Sequence, residues 1–406
     1  MNKISADIVI CGAGPSGLAA ALSAARQGMN VVLVEEDAII GGTVTDYFIQ
    51  NYCGSPMHGI HAEIVDEMKK IDPYYGKFVC FRASSYVMAW TRLMAGLPIK
   101  ILCNNTIKKV YTEKQNEKEV ITAVESDTHL ITGKVFIDCT GNADIAYQTS
   151  CKTRYGREAA SEYNEEFAPA KADNIVQMCT QMFVLKRIQP GSDDFKPNWA
   201  TFNEDEFLMW GPTFKCEDTT DRDQLAEIQQ LAIEKLTNEV DAKWKEKGFM
   251  ITQIAPKIGV RESRRIVGKY VMSERDLMTP KRYKDSVTVA SYPVDPWDPE
   301  GNPLHKKELK EKCHTPMYEI PYSSLVTEEV GNMIVAGRCI SGTHVAASSY
   351  RVMAIAEVTG QIAGIAAAVS VSSNTAVADV DVDKVKEIAK SYGVITDLET
   401  YHSRQQ

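Results

Sequence analysis

No C-x-x-C pair occurs anywhere in the 406 residues. The ten cysteines stand at least twelve positions apart, so the signature of a local zinc or iron–sulfur cassette is missing. They read as small buried hydrophobes. Basic charge is short as well: 45 Lys and Arg face 54 Asp and Glu, a net charge of −9. That balance argues against a nucleic-acid-binding surface. Long apolar runs are also missing. The most apolar stretch, 362–371, falls well short of the roughly 20 residues that a membrane-spanning helix needs. The opening MNKISADIVIC lacks the separate charged region, apolar region and cleavage site of a secretory signal. The expectation is a cytoplasmic protein with no membrane and no nucleic-acid partner. Neither an internal repeat nor a low-complexity segment is visible. What remains is an ordinary globular composition, 44% hydrophobic, with length for two or three domains.

The informative residues begin near the start. Residues 6–11 read as a buried strand, and Gly12-Ala-Gly14-Pro15-Ser16-Gly17 follows at once. Residues 18–27 are alanine-rich and helical, and 30–35 read as a second buried strand ending at Glu35. This is the strand–turn–helix–strand unit that binds a dinucleotide. Gly12 permits the tight turn, Gly14 lets the backbone approach a pyrophosphate, and Gly17 lets helix and strand pack closely. Pro15 and Ser16 open a helix whose free N–H groups favour an anion. Glu35 suits ribose hydroxyls and repels a 2′-phosphate. Glu36 then leads into Gly41-Gly42-Thr43. An acid followed by a Gly-Gly loop is what FAD proteins of the glutathione-reductase-like class show; a plain surface turn is the alternative.

Ser84 is expected to cap a helix reaching about residue 95, and 98–103 reads as a short strand. Residues 107–112, opened by Ile107, read with 120–126 and 129–132 as antiparallel strands, and 113–119 as a turn. Residues 134–138 form another buried strand. It ends in Cys139-Thr140-Gly141-Asn142-Ala143-Asp144, a turn placed to meet the adenosine half of the cofactor through Thr140, Gly141 and Asp144. The expected fold class is α/β: a Rossmann-like FAD-binding domain, its parallel sheet interrupted by a β-meander, plus an inserted α+β substrate domain. The expected boundaries are 1–155 for the first part, 156–325 for the insertion and 326–406 for the second part with C-terminal helices. Within the insertion, 221–247 reads as one long amphipathic helix and 293–303 as a loop. Gly259-Val-Arg261-Glu262-Ser263-Arg264-Arg265 is the one dense basic cluster. Arginine forks pair with planar carboxylates or phosphates. One reading puts Arg261 or Arg264 in a substrate pocket. The other is a salt-bridge network with Glu262 at the domain junction.

Three stretches, IGVRESRRIVGKYVMSERDL (258–277), YEIPYSSLV (318–326) and NMIVAGRCISGTHVAASSYRVM (332–353), resemble FAD-dependent oxidoreductases of the xanthan-lyase-like label. These are distant relatives of the heterodisulfide-reductase and fumarate-reductase flavoproteins. The resemblance spans nearly the whole chain and implies FAD and the fold more firmly than a reaction. Two positions depart from the pattern. Val345 stands where an acid often follows the motif histidine, and Ser348 and Ser349 stand where glycine is frequent. The GDxxxH-like ending of the aromatic hydroxylases is replaced by Gly337-Arg338-Cys339, which argues against a monooxygenase.

On this reading, 333–336 is a strand that rejoins the N-terminal sheet, and Gly337 and Arg338 close its end near the flavin. Residues 341–347 stay small because a flat ring lies against them. A helix over 350–370 opens with Arg351, Val352 and Met353, its N–H groups aimed at the flavin and stabilising the reduced form by roughly 0.3–2 kcal/mol. His344 is the expected acid or base, with Arg261 and Tyr318 beside it; packing is the alternative for His344, Tyr318 and Tyr322. His58 and His61 read as surface residues. The expected function is hydride transfer between a small polar organic substrate and FAD. The alternatives are a flavin-carrying electron-transfer subunit and flavin-dependent RNA modification. Expected partners are a small-molecule substrate and either an external electron acceptor or a second copy of the chain.

Overall fold

A computed structural model describes residues 1–115, 117–189 and 195–404. At its centre is a five-stranded parallel sheet in the order Met333–Val335, Val135–Asp138, Ile8–Cys11, Val31–Val34, Ile99–Leu102. The first four strands are buried along their whole length. Their unbroken apolar runs follow from a sheet covered on both faces. The edge strand Ile99–Leu102 instead turns Lys100 outward, which blunts an edge that would otherwise pair with other chains.

Helix Pro15–Arg26 packs on helix Met353–Ser373 at backbone distance. A Cβ at Gly360 would lie 2.1 Å from the carbonyl oxygen of Ser16, and one at Gly364 2.3 Å from that of Ala20. The two glycines sit four apart, about one turn, so both face the same partner. Gly360→Ala is therefore expected to lower stability by roughly 1–3 kcal/mol through overpacking. Urea denaturation measures this; an unchanged midpoint would contradict the contact. Met353–Ser373 has 21 residues and is the one helix among the described residues long and apolar enough to cross a membrane. The most apolar 18-residue window of it is 94% buried inside the fold, so here it is a core helix.

The meander is a separate sheet, Ile107–Gln115, Lys118–Ser126 and His129–Thr132 in antiparallel order. Its first turn is tighter than 113–119: Glu117 takes a positive φ of 68°, and Asn116 lies outside the described residues. Asn2–Ser5 adds a parallel strand to this sheet. Sequence reading missed it because the strand is mostly exposed and has no apolar alternation. Helix Ala83–Met94 starts one residue before Ser84. Arg82 is the cap residue, and the Gln50 side chain accepts from the Ala83 N–H in place of a local cap.

The inserted segment is built on Cys179–Arg187, flanked by Glu206–Phe214 and Phe249–Ile254. The stretch 221–247 is not one uniform helix. Asp221 caps Arg222–Lys235, a π-helical turn occupies Leu236–Val240, and Asp241–Lys245 resumes. The wide turn rotates the second half so that Val240 and Trp244 pack near Phe249. Residues 293–302 form a loop without regular structure. The expected helix over 350–370 is also two: His344–Tyr350, capped by Thr343, and Met353–Ser373, with Arg351 and Val352 between them.

Candidate functional site

A cavity of about 1030 Å³ opens beyond the carboxyl ends of the parallel strands, the usual ligand position in open α/β sheets. Three turns form its first wall. Gly12, Gly14, Pro15 and Ser16 follow Ile8–Cys11; Glu35, Glu36 and Asp37 follow Val31–Val34; Thr140, Gly141 and Asp144 follow Val135–Asp138. Ile107, Gly42 and Thr43 border the same space.

The glycines of the first turn divide their duties. Gly12 has φ +98°, and a Cβ there would lie 2.4 Å from the Cys139 carbonyl oxygen. A Cβ at Gly17 would lie 1.8 Å from the Gly12 oxygen. Both are packing positions. Gly14 is different: its nearest neighbour would be the Gly42 Cα at 3.9 Å. Gly42 (φ +50°) would in turn press a Cβ to 2.7 Å from the Gly14 Cα. The two backbones thus face each other with room beside them. The helix opening at Pro15 has no side-chain cap, so its first N–H groups are free for an anion such as a pyrophosphate. Gly17, Gly41 and Gly337 support this grip without bordering the cavity. A Cβ at Gly41 would meet Thr45, and one at Gly337 would meet Ser16.

The acids around the cavity are built into it. Glu35 is buried; Oε2 accepts from the Ala13 N–H at 2.6 Å and Oε1 from the Asp37 N–H at 3.0 Å. Its first task is to tie two turns together, leaving the other lone pairs for ribose hydroxyls. Burial raises its pKa, and these two bonds oppose the rise. Glu36 pairs with Arg222 at 2.6 Å and Lys257 at 3.1 Å, and Lys257 also reaches Asp37 at 2.6 Å. Asp46 closes the short helix Thr43–Asp46 and borders the cavity. Burial, and then the charge of Asp37, push its carboxyl up to about 8, while Lys257 opposes. Its charged form is thereby disfavoured beside the cavity. Asp138, fully buried at its strand end, accepts from the Thr140, Ile145 and Ala146 N–H groups and the Thr140 hydroxyl. That single carboxylate shapes the adenosine-side turn. Sequence reading named neither Asp46 nor Asp138.

Arg338 borders the cavity but spends its donors on protein. Nε donates to the Gly141 carbonyl and Nη2 to Asn142 Oδ1, both at 2.8 Å, and Nη1 donates to the Val260 carbonyl. It pins the turn rather than reaching for a ligand. Arg351, Val352 and Met353 border the cavity where the core helix begins, and Val352 makes no side-chain cap.

A tight glycine turn, a free helix N-terminus and a facing Gly-Gly loop fit FAD. The chain matches the family of FAD dependent oxidoreductases over residues 7–222 and 213–388. It belongs to that family. FAD is its cofactor, and the chain is an oxidoreductase. Thioredoxin reductase of Ureaplasma parvum serovar 3 (strain ATCC 700970) is 46% identical over 54 residues, 13% of this chain and 18% of the relative. The match thus spans under a fifth of that relative. A geranylgeranyl bacteriochlorophyll reductase-like protein from Thermoplasma acidophilum is 12% identical over 100% of this chain and 88% of its own, with a TM-score of 0.44. A flavin-dependent brominase is 11% identical over 95% of this chain and 83% of its own, with a TM-score of 0.42.

In this FAD dependent oxidoreductase the inserted segment supplies the opposite wall. Thr180, Met182, Trp199, Trp210, Arg261, Tyr292, Asp295 and Trp297 border the cavity from that side. Trp199 and Trp210 stack at 5.8 Å. The basic cluster splits its labour along these lines. Arg261 faces the cavity. Arg264 pairs with Asp144 across the domain junction. Glu262 and Arg265 turn inward to a buried ion network.

His344 belongs to that network and does not border the cavity. Nδ1 lies 2.8 Å from Glu262 Oε2 and Nε2 3.1 Å from Asp298 Oδ1. Burial disfavours its charge, but the two carboxylates prevail and hold its pKa at about 10. Enclosed by these acids and away from the cavity, His344 has the surroundings of an internal ion pair rather than those of the expected acid or base facing a substrate. Residues 341–347 are small for protein packing, not for a flat ring: a Cβ at Gly342 would meet the Tyr350 ring at 2.6 Å. Tyr318 is also buried, its hydroxyl 2.8 Å from Ser349 Oγ, and Tyr322 donates to the Val377 carbonyl. Neither reaches the cavity.

His58 and His61 are buried rather than on the surface. His61 Nδ1 lies 2.6 Å from Glu357 Oε2, and Tyr52 and Tyr86 donate to Oε1 of the same glutamate. Burial pushes the His58 pKa down to about 4. Among the described residues no group of three or more His, Cys, Asp or Glu is placed to hold a metal ion.

Proposed function

We propose that the protein moves a hydride between a small polar organic substrate and FAD. One observation carries this reading: the nucleotide grip and a wall of aromatic and arginine side chains border the same cavity. FAD, when bound, supplies the two-electron chemistry; the chain positions and polarises. The glycine turn and helix N-terminus hold the pyrophosphate, and Glu35 holds the ribose. Trp199, Trp210 and Trp297 limit water on the substrate side. Arg261 orients the polar end of the substrate. A separate electron acceptor or donor completes the cycle.

The purified protein is expected to be yellow and to bleach anaerobically with a member of a library of hydroxy acids, sugars, amines and enoates, or to reoxidise with an enoate after chemical reduction. A flavin that no member reduces or reoxidises would overturn the proposal.

A further inference from the structure

The donors of Arg261 and Arg351 are incompletely used. Arg261 Nη1 donates to the Met178 carbonyl and to Thr180 Oγ1, both at 2.7 Å, and its guanidinium lies 4.2 Å from the centre of the Trp297 ring. Its Nε and Nη2 make no hydrogen bond among the described residues, and the side chain borders the cavity. Arg351 touches Asp295 through Nη2 alone, and its Nε is buried without a partner. A buried guanidinium N–H without an acceptor is costly and rare. The two arginines also repel: burial, and then the charge of Arg351, push the Arg261 pKa down to about 9.

Among the described residues Asp295 is the one carboxylate that offsets them there, and it already accepts from the Tyr292 hydroxyl, the Trp297 indole and the Asn302 amide. Two guanidinium charges against one carboxylate leave an excess of one positive charge in a partly dry pocket.

From this we infer that the substrate is a carboxylate, held between Arg261 and Arg351 with its carbon skeleton against Trp297. The inference rests on the reading of this wall as the substrate side. A monoanion cancels the excess charge, and a planar carboxylate matches the guanidinium fork. A phosphate dianion would leave net negative charge beside Asp295.

The test uses the FAD-loaded protein and isothermal titration calorimetry, so binding is read without turnover. Probes are phenylacetate and butyrate, their uncharged amides, and inorganic phosphate. The carboxylates are expected to bind and the amides to bind about 30-fold or more weakly, the usual cost of losing one partner of a buried charge pair. Arg261→Met and Arg351→Met are each expected to weaken carboxylate binding by about that factor, and Arg261→Met to keep its FAD. Arg261→Lys is expected to recover only part of it. Failure of both carboxylates to bind, equal binding of the amides, tighter binding of phosphate, or loss of FAD from Arg261→Met would each overturn the clamp. Bleaching by an uncharged alcohol that ignores Arg261→Met would sink the clamp and keep the redox proposal. Carboxylate binding with no redox response in any substrate would do the reverse.

Discussion

Gly14→Val is expected to give a folded protein that has lost its flavin. Gly14 adopts φ −74° and ψ −174°, a backbone that valine accepts. A Cβ there meets nothing closer than the Gly42 Cα at 3.9 Å, so the fold has room for it. The valine methyl groups then occupy the space beside the free helix N-terminus that the pyrophosphate needs. FAD affinity should fall on the order of 100-fold or more, at about 1.4 kcal/mol per tenfold. Gly12→Val is the contrasting case. With φ +98° and the Cys139 oxygen 2.4 Å from the new Cβ, it should fail to fold at all. Circular dichroism and flavin absorbance of the two variants separate the duties. A yellow Gly14→Val protein would contradict the placement of the cofactor.

His344→Leu is expected to cost about 1–3 kcal/mol of stability, because Glu262 and Asp298 lose the cation between them and keep only Arg265 and Arg157 as charge partners. The pH dependence has a definite sign. The folded pKa of His344 stands at about 10, above the ordinary value of 6.5. Its stabilisation is therefore complete below pH 6.5 and is lost as the pH rises through 10. Urea denaturation at pH 6.5 and 9.5 should show the native protein weakening across that interval, and His344→Leu should lack this contribution. A variant as stable as the native protein, with the same slope, would remove His344 from the network.

Local chemistry explains what the sequence disclosed. Gly12, Gly14 and Gly17 act within one turn and its helix, so their spacing alone reveals the grip. Four of the five parallel strands announce themselves as buried, mostly apolar runs; the edge strand Ile99–Leu102, with Lys100 exposed, does not. Partners brought from far along the chain leave no such mark. Asp138 looks like any acid at a strand end until four donors from the following turn gather on it. His61 looks amphipathic and exposed until Glu357 arrives from the core helix. His344 attracted a catalytic reading because it stands among small residues. Nothing local showed that Glu262 and Asp298 would enclose it. The arginine cluster was legible as a cluster, but its division among cavity, junction and core depends on where Asp144, Glu158 and Asp295 come to rest.

The contact of Gly360 and Gly364 with Ser16 and Ala20 has a consequence for biosynthesis. The helix that presents its N-terminus to the cofactor leans on residues far along the chain. Until those residues and the edge strand Met333–Val335 have been made, the turn near Gly14 lacks its back support. Flavin loading should therefore follow the docking of Met353–Ser373 on Pro15–Arg26.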